Sequence, residues 1–413
     1  MVESGHCFAA LAGPPSGPGG PLVAKNFQLL ASIALAMSAG SAASAASLKS
    51  KLDMHVPRLM KETGAKGLAV AVIEDGRVRH VNAWGSRNAR GDPLSTNTVM
   101  YGASLTKAVF AYTVMQLAEE GRIDLDRSIA EYLPKPLPDY PEEDKYSSWQ
   151  DLAGDERWRK LTPRILLNHG SGFANFGFLE PDKKLRFHFD PGARYAYSGD
   201  GLILLQFVLE RGLSLDVGAE MQRRVFVRFG MRNTSMIWRP DFTRNLADGW
   251  SADGKVEPHD ERSTVRAAGS MDTTIADFAK FAAGFMKGDG LTRRGRAEII
   301  RPQLSITTAS QFPSLQPEVP PERRFKRLAA GLGVITFSGP LGRGFFKGGH
   351  NDTTGNMWVC LEKGRKCVVL LANDVRAEAA FPNIVRLVLG ETGLPWVWEY
   401  GPEPWALAAS HAG

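Results

Sequence analysis

The chain has 413 residues, of which 43% are hydrophobic and 23% charged, so it can bury a large core as one large or two moderate globular domains. The net charge of +6 and the isoelectric point near 9.1 are mildly basic, and the basic residues are scattered among acidic ones. No basic run interleaved with aromatic residues is present, which argues against a nucleic-acid partner.

The N-terminal segment, residues 1–46, is not expected to belong to the fold. Residues 1–24 are rich in Gly and Pro, and Lys25 precedes an apolar run over 27–37 and small residues at 43–45. This pattern is typical of a leader with a cleavable signal peptide, and it predicts an exported protein, periplasmic or secreted. The apolar run is too short for a membrane span in the mature protein, although an uncleaved N-terminal anchor and a later translation start stay open.

From residue 47 to about residue 400 the sequence predicts one domain of helices and strands. Its first half contains, in order, a helix over 48–64, a hairpin over 67–85 turning at Asp75-Gly76, a helix from Ser104 to Gly121, a Pro-rich loop over 135–160, a short helix after Thr162, an apolar helix near Gly201, and a helix capped by Thr273 or Thr274. Strand patterns then dominate 331–373, and a helix over 381–389 follows.

The order of these elements predicts the fold class. Terminal strands that share one sheet, with a mostly helical insertion over about 105–300, give an α/β fold in which an antiparallel sheet is flanked by N- and C-terminal helices and carries an all-α lobe. A cleft between the sheet and the lobe is the expected place for a site, bordered by loops such as 135–160 and 302–324. Residues 401–413 are predicted to be a tail.

Two of the three cysteines lie in a predicted hairpin. A tight turn at Lys363-Gly364 places Cys360 directly opposite Cys367, close enough for a cross-strand disulfide in an oxidising compartment. The alternative is a pair of buried free thiols. Neither cysteine is expected to be catalytic.

The helix that begins after Ser104 carries a Ser-x-x-Lys pattern, which occurs once in the chain. Its spacing places Lys107 one turn beyond Ser104 and on the same face. A serine hydroxyl becomes a good nucleophile when a base lies within hydrogen-bond distance, and a lysine can be that base when burial lowers its pKa. The N–H groups at the helix N-terminus can in addition stabilise an oxyanion.

Three short motifs occur along the chain in this order: Ser104-Leu105-Thr106-Lys107, Tyr197-Ser198-Gly199 and Lys347-Gly348-Gly349. They resemble the Ser-x-x-Lys, Tyr-x-Asn and Lys-Thr-Gly motifs of the serine β-lactamase and penicillin-binding protein family. Flanking phrases such as LTPRILLNHGSGF, DPGARYAYSG and AAGSMDTTIADFAKF resemble the class C β-lactamase-like branch, which includes esterases and D-aminopeptidases. The resemblance covers nearly the whole chain after the signal segment.

The resemblance implies a role for each motif residue. Ser104 would form an acyl-enzyme after activation by Lys107, and Tyr197 would relay the proton to the leaving group. The backbone N–H groups of Ser104 and His350 would form the oxyanion hole. The strand of the third motif would bind substrate through Lys347, Gly348 and Gly349, and Gly199 would contribute from the second motif.

Two departures from the family pattern shape the functional prediction. Gly199 replaces the asparagine of the second motif, unless neighbouring Asp200 substitutes for it, and Gly348 replaces the threonine of the third. Both losses favour an esterase-like serine hydrolase acting on an ester or small amide over a β-lactamase or D-alanyl peptidase. A non-catalytic binding protein on the same fold is the third hypothesis.

The remaining predictions concern partners. No cofactor and no metal are expected, because the eight histidines show no HExxH or paired spacing, and His169 is interpreted as a structural hydrogen-bonding residue. The chain contains no Gly-x-Ser-x-Gly, which argues against an α/β-hydrolase. The expected partner is a small-molecule ester or amide. The sequence does not specify the oligomeric state or the substrate.

Overall fold

The computed structural model describes residues 46–401. The chain divides into two units, Met1–Ser50 and Lys51–Gly413, and of the first unit only residues 46–50 are described, all of them helical. The predicted signal peptide and nearly all of the predicted tail therefore lie outside the described residues. Among residues 46–401, no helix combines the length and the apolar composition that a bilayer span requires.

The second unit contains helices and antiparallel strands. The helices are α1 (51–63), α2 (Leu105–Glu119), α3 (Pro163–Leu167), α4 (Gly199–Phe207), α5 (Val217–Met221), α6 (Ile275–Lys287), α7 (Arg293–Ile299), α8 (Phe381–Leu389) and α9 (Trp396–Tyr400). The strands are β1 (Gly67–Glu74), β2 (Arg77–Gly85), β3 (Met100–Tyr101), β4 (Gly249–Trp250), β5 (Val256–Glu257), β6 (Asp272–Thr273), β7 (Leu304–Ser305), β8 (Ala329–Ala330), β9 (Ile335–Gly339), β10 (Gly342–His350), β11 (Gly355–Leu361) and β12 (Lys366–Ala372).

One sheet joins the two ends of this unit. Its strand order is β2-β1-β12-β11-β10-β9-β8-β7, and β1 pairs antiparallel with β12 over Leu68 to Ile73. The side chains of β1, β11 and β12 are almost all buried, because helices pack on the sheet, and these strands are mostly apolar. The predicted fold class, an antiparallel sheet with flanking helices and an inserted helical region, is confirmed.

Local sequence signals set the boundaries of several elements. The hairpin between β1 and β2 turns at Asp75 and Gly76, whose φ angles of 52° and 69° are both left-handed, as a two-residue hairpin turn requires. The side chain of Thr274 accepts a hydrogen bond from the backbone N–H of Asp277 (3.1 Å) and so caps α6. These two predictions are confirmed in place and type.

Residues 135–160 differ from the predicted surface loop. They form short 3-10 turns at Leu137–Asp139, Trp149–Leu152 and Glu156–Lys160. Trp149 and Trp158 are each only 2% exposed and belong to the main hydrophobic core. Burial of the two indole rings stabilises the folded chain, so this segment is part of the packed fold rather than the surface loop that the sequence predicted.

The two cysteines of the C-terminal hairpin are joined. Cys360 on β11 lies directly opposite Cys367 on β12, and the structure links them by a disulfide. The register is the predicted one, although the connection comprises four residues, 362–365, because Leu361 and Lys366 form the last paired positions. Of the two alternatives that the sequence left open, the structure has the disulfide.

We expect removal of this disulfide to lower stability without removing the site. The bond closes a short loop, so the double variant Cys360→Ala/Cys367→Ala should lose roughly 2 kcal/mol of unfolding free energy. Urea denaturation of the oxidised wild type, the reduced wild type and the double variant measures this. An unchanged midpoint on reduction would contradict a stabilising disulfide.

Candidate active site

Ser104 lies immediately before α2, at the end of a strained turn. Ala103 has a φ of 47°, a left-handed conformation that costs a non-glycine residue roughly 1–2 kcal/mol. Serine at this position usually caps its helix, yet the Ser104 side chain accepts no hydrogen bond from a backbone N–H of α2. Its Oγ instead faces a cavity, with the N-terminus of α2 behind it.

Lys107 lies one turn into α2 and is 1% exposed. Its Nζ lies 2.9 Å from Ser104 Oγ and also contacts the backbone carbonyl oxygen of Ala268. Burial lowers the pKa of Lys107 well below its usual range, and the neighbouring charge of Lys347 lowers it further. A lysine in this state can take the proton of the serine hydroxyl, as the sequence predicted for this pair.

Tyr197 completes a three-residue cluster with Ser104. Its hydroxyl donates a hydrogen bond to Ser104 Oγ (2.8 Å), and its ring centroid lies 4.9 Å from Lys107 Nζ and 5.1 Å from Lys347 Nζ. Burial raises the pKa of Tyr197, while the hydrogen bond to Ser104 acts in the opposite direction. The phenol is therefore neutral at physiological pH and can pass a proton without becoming a stable phenolate.

His169 holds Tyr197 in place and does not contact Ser104. Its ring stacks on the Tyr197 ring with 4.5 Å between centroids, and its Nδ1 accepts the backbone N–H of Ser198 (3.1 Å). Burial lowers the pKa of His169 well below its usual value, with Lys107 and Lys347 adding to the effect. A neutral imidazole that accepts a backbone hydrogen bond fits the structural role predicted for it.

Strand β10 brings the third motif against the start of α2. Lys347 is 3% exposed, and its Nζ donates a hydrogen bond to the carbonyl oxygen of Gly348 (2.7 Å). Burial lowers the pKa of Lys347 to about 8, although Glu399 acts to raise it. His350 ends the strand and lines the same cavity as Ser104, so the two predicted oxyanion-hole residues lie on adjoining walls.

Gly349 makes this close approach of β10 to α2 sterically feasible. A Cβ at this position would lie 3.1 Å from the backbone nitrogen of Ser104 and 3.0 Å from the carbonyl oxygen of Gly102. Both atoms belong to the backbone and cannot turn aside.

We therefore expect Gly349→Ala to lower kcat/KM for an ester at least about tenfold, because widening the gap displaces the oxyanion donors. Gly201→Ala is the matched control, since a Cβ at Gly201 would make only ordinary contacts at 3.4 Å or more. Steady-state kinetics on both variants, alongside their thermal unfolding, measure the difference. Equal activity in the two variants would contradict the tight fit.

The Ser104 hydroxyl opens into a cavity of about 640 Å³. Phe176 and Phe178 stack on each other at one side, with 5.0 Å between ring centroids, and Gln311 and Phe312 come from the predicted border segment 302–324. The other predicted border, residues 135–160, contributes no lining residue, so that part of the prediction is wrong. Residues 260–264, 266 and 268–270 line the cavity in its place.

Comparison with known proteins identifies the family of this chain. The sequence matches the family described as Beta-lactamase over residues 52–390. The chain belongs to the beta-lactamase family. Its members of the β-lactamase and penicillin-binding protein type are serine hydrolases, and relatives of this chain include an acyltransferase.

Individual relatives are distant. Monacolin J acid methylbutanoyltransferase of Aspergillus terreus is 26% identical, with 82% of this chain and 87% of that protein covered. A putative D-alanyl-D-alanine carboxypeptidase of Salmonella heidelberg is 23% identical over 42% of this chain and 44% of its own length. Among solved structures, the D-alanine carboxypeptidase AmpC of Burkholderia cenocepacia superposes with a TM-score of 0.65 at 18% identity, covering 84% of this chain and 99% of the other. This last likeness shows a shared fold.

The second beta-lactamase motif is altered by packing as well as by sequence. Gly199 is the first residue of α4, and a Cβ there would lie 2.3 Å from the ring of Phe176, so an aromatic ring fills the space of the missing side chain. Asp200 does not substitute for the asparagine. Its carboxyl is turned away from the cavity and contacts the Ser147 hydroxyl and the backbone N–H of Gly177 (2.6 Å).

Asn175 places a side-chain amide beside this altered motif. Its Oδ1 accepts the backbone N–H of Gly199 (3.0 Å), and the residue lines the cavity. This use of Oδ1 leaves the NH2 group of the amide as a donor. Sequence reasoning missed Asn175 because it lies 22 residues before Tyr197 and belongs to no motif.

The third motif is altered in a similar way. A Cβ on Gly348 would lie 1.8 Å from Oε1 of Glu399, so the carboxyl of α9 occupies the place where the family pattern has a threonine side chain. Glu399 is 2% exposed and lines the cavity together with Lys347. Nothing in the local sequence around Gly348 points to a residue 51 positions further on.

Proposed function

We propose that this protein is a serine hydrolase that acts through an acyl-enzyme on an ester or small amide. One observation carries the proposal: Ser104 Oγ lies within hydrogen-bond distance of both the Lys107 amine and the Tyr197 hydroxyl. The N-terminus of α2 therefore brings together a nucleophile, a buried amine that can accept its proton, and a phenol that can relay that proton.

In the acylation step, Ser104 Oγ attacks the carbonyl carbon of the substrate, and its proton passes to the neutral amine of Lys107. The carbonyl oxygen takes up the negative charge and accepts hydrogen bonds from the backbone N–H groups of Ser104 and His350. When the tetrahedral intermediate collapses, the bond to the leaving group breaks, and the proton on Lys107 reaches the departing alcohol or amine through the Tyr197 phenol.

Deacylation reverses these roles with water as the nucleophile. The Tyr197 phenol relays one proton from the attacking water to the neutral amine of Lys107, the ester bond to Ser104 breaks, and that proton returns to Ser104 Oγ as the acid is released. Charge balances at every step, because the negative charge of the tetrahedral oxyanion is matched by the positive charge of the Lys107 ammonium that has taken up the proton.

The preference for esters over β-lactams and peptides rests on the two altered motifs. Phe176 fills the space beside Gly199, and Glu399 fills the space beside Gly348, so two polar groups that would hold an amide and a carboxylate are absent from their usual places. The Aspergillus relative is named as a methylbutanoyltransferase, which supports transfer of a small aliphatic acyl group. The names of the Salmonella and Burkholderia relatives support the alternative, a D-alanyl peptidase or β-lactamase.

Covalent labelling tests the proposal. Intact-mass spectrometry with a fluorophosphonate should show one adduct on the wild type and none on Ser104→Ala, and hydrolysis of a short-chain p-nitrophenyl ester should exceed that of a chromogenic cephalosporin. Dominant cephalosporin turnover would favour the alternative. A folded wild type that shows neither labelling nor turnover would overturn the enzymatic proposal and leave a binding protein.

A further inference from the structure

The C-terminal helix α9 contributes a carboxyl group to the cavity. Glu399 is buried, and its Oε1 lies against the backbone of Gly348 on β10, on the same cavity wall as Lys347. Burying an ionised carboxyl costs free energy unless hydrogen bonds or a neighbouring positive charge compensate for the lost water. Such groups are often found at functional sites.

A dedicated set of contacts holds this carboxyl in place. Gln311 Nε2 donates a hydrogen bond to Glu399 Oε2 (2.9 Å), and Tyr195 OH donates one to Gln311 Oε1 (3.1 Å). The backbone N–H of Gln311 also donates to the carbonyl oxygen of Trp398 (2.7 Å), so the loop and α9 are joined at this point. The hydrogen bond from Gln311 uses Oε2, whereas Oε1 lies beside Gly348 on β10.

Lys347 does not neutralise Glu399 directly. Its Nζ donates to the carbonyl oxygen of Gly348, and Nδ1 of the neighbouring His350 lies 3.4 Å from Oε1 of Glu378 rather than beside Glu399. Burial raises the pKa of Glu399, while Lys347 and His350 act to lower it. A further positive charge or hydrogen-bond donor beside Glu399 would therefore also lower its pKa and stabilise the ionised carboxylate.

We propose that Glu399 is a specificity-determining residue that selects acyl donors carrying a protonated amine or another hydrogen-bond donor near β10, and rejects donors that carry a carboxylate there. The inference rests on the proposed function, since it assigns the substrate class of the same site. A carboxylate substrate would place two anionic groups in one low-dielectric pocket, whereas an ammonium or hydroxyl group would pair with Oε1 of Glu399.

The test uses three aryl esters that share one acyl group. Their phenol rings carry a meta carboxylate, a meta hydroxymethyl or a meta aminomethyl group, so charge and donor character change at one place while the scissile bond stays the same. In the wild type at pH 8 we expect kcat/KM for the carboxylate ester to be at least about tenfold below that for the aminomethyl ester. In the isosteric variant Glu399→Gln, the ratio of kcat/KM for the carboxylate ester to kcat/KM for the aminomethyl ester should rise at least about tenfold, toward one.

Asp277→Asn is the matched control, because Asp277 is also a buried carboxyl but does not line the cavity. Its ratio should stay within about threefold of the wild type. A wild type that prefers the carboxylate ester, or a ratio unchanged in Glu399→Gln, would overturn the inference and leave the hydrolase intact. Absence of fluorophosphonate labelling at Ser104 would instead overturn the proposed function, and this inference with it. The wild-type preference decides the matter even where the Glu399 variant fails to fold.

Discussion

Ser104→Ala should lower kcat/KM for a short-chain ester by at least about 10⁴-fold, because the acyl-enzyme route is lost. The side chain is small, it makes no helix cap, and its neighbours Lys107 and Tyr197 keep contacts of their own to Ala268 and His169. The fold should therefore survive the change. Stopped assays at high enzyme concentration, together with thermal unfolding, measure both quantities.

The control for this variant is Ser128→Ala. The side chain of Ser128 caps a 3-10 turn and does not line the cavity. It should lose some stability, up to about 1 kcal/mol, and retain activity. A Ser104→Ala protein that hydrolyses the ester at the wild-type rate would remove Ser104 as the nucleophile.

Lys107→Met should lower acylation roughly 10³-fold and at the same time raise stability at neutral pH. Methionine has nearly the length of lysine but no amine to accept the Ser104 proton, so the loss measures general-base catalysis. Stability should rise because a buried lysine must give up its proton on folding, whereas a thioether enters the core without that cost.

The sign of the stability change depends on pH. Burial lowers the pKa of Lys107 in the folded protein below 10.5, the ordinary value of a lysine in an unfolded chain. Between the folded and unfolded pKa values the unfolded chain binds one more proton than the folded protein. Wild-type stability therefore increases as pH rises through that window. The thermal midpoint of Lys107→Met should exceed that of the wild type by at least about 2 °C at pH 7, and the advantage should shrink near pH 10. A variant that is less stable at pH 7 would argue against a buried, neutral lysine.

Much of the fold was predictable because its signals are local. Alternating and continuous apolar runs identify the strands, Asp75-Gly76 specifies a hairpin turn, and Thr274 caps α6, so each element carries its own evidence. The first two motifs likewise identify Ser104, Lys107 and Tyr197, and the structure brings these residues together.

The rest of the site could not be predicted because it depends on packing between distant segments. Glu399 reaches Gly348 from a helix 51 residues away, and Phe176 fills the space beside Gly199 from a loop that carries no motif. The spaces left by two glycines are visible in the sequence, but what fills them is decided by tertiary contacts. Asp200 was a plausible substitute by proximity in sequence, yet the first turn of α4 directs its carboxyl to Ser147.

The central claim is that Ser104 becomes acylated during turnover. Acid quenching of the wild type during hydrolysis of p-nitrophenyl butyrate, followed by peptide mass spectrometry, tests it most directly, and Tyr197→Phe should increase the trapped fraction by slowing deacylation. The account predicts one butyryl group on the peptide that contains Ser104. Rapid ester turnover with no acylated peptide, or with the acyl group on another residue, would contradict it.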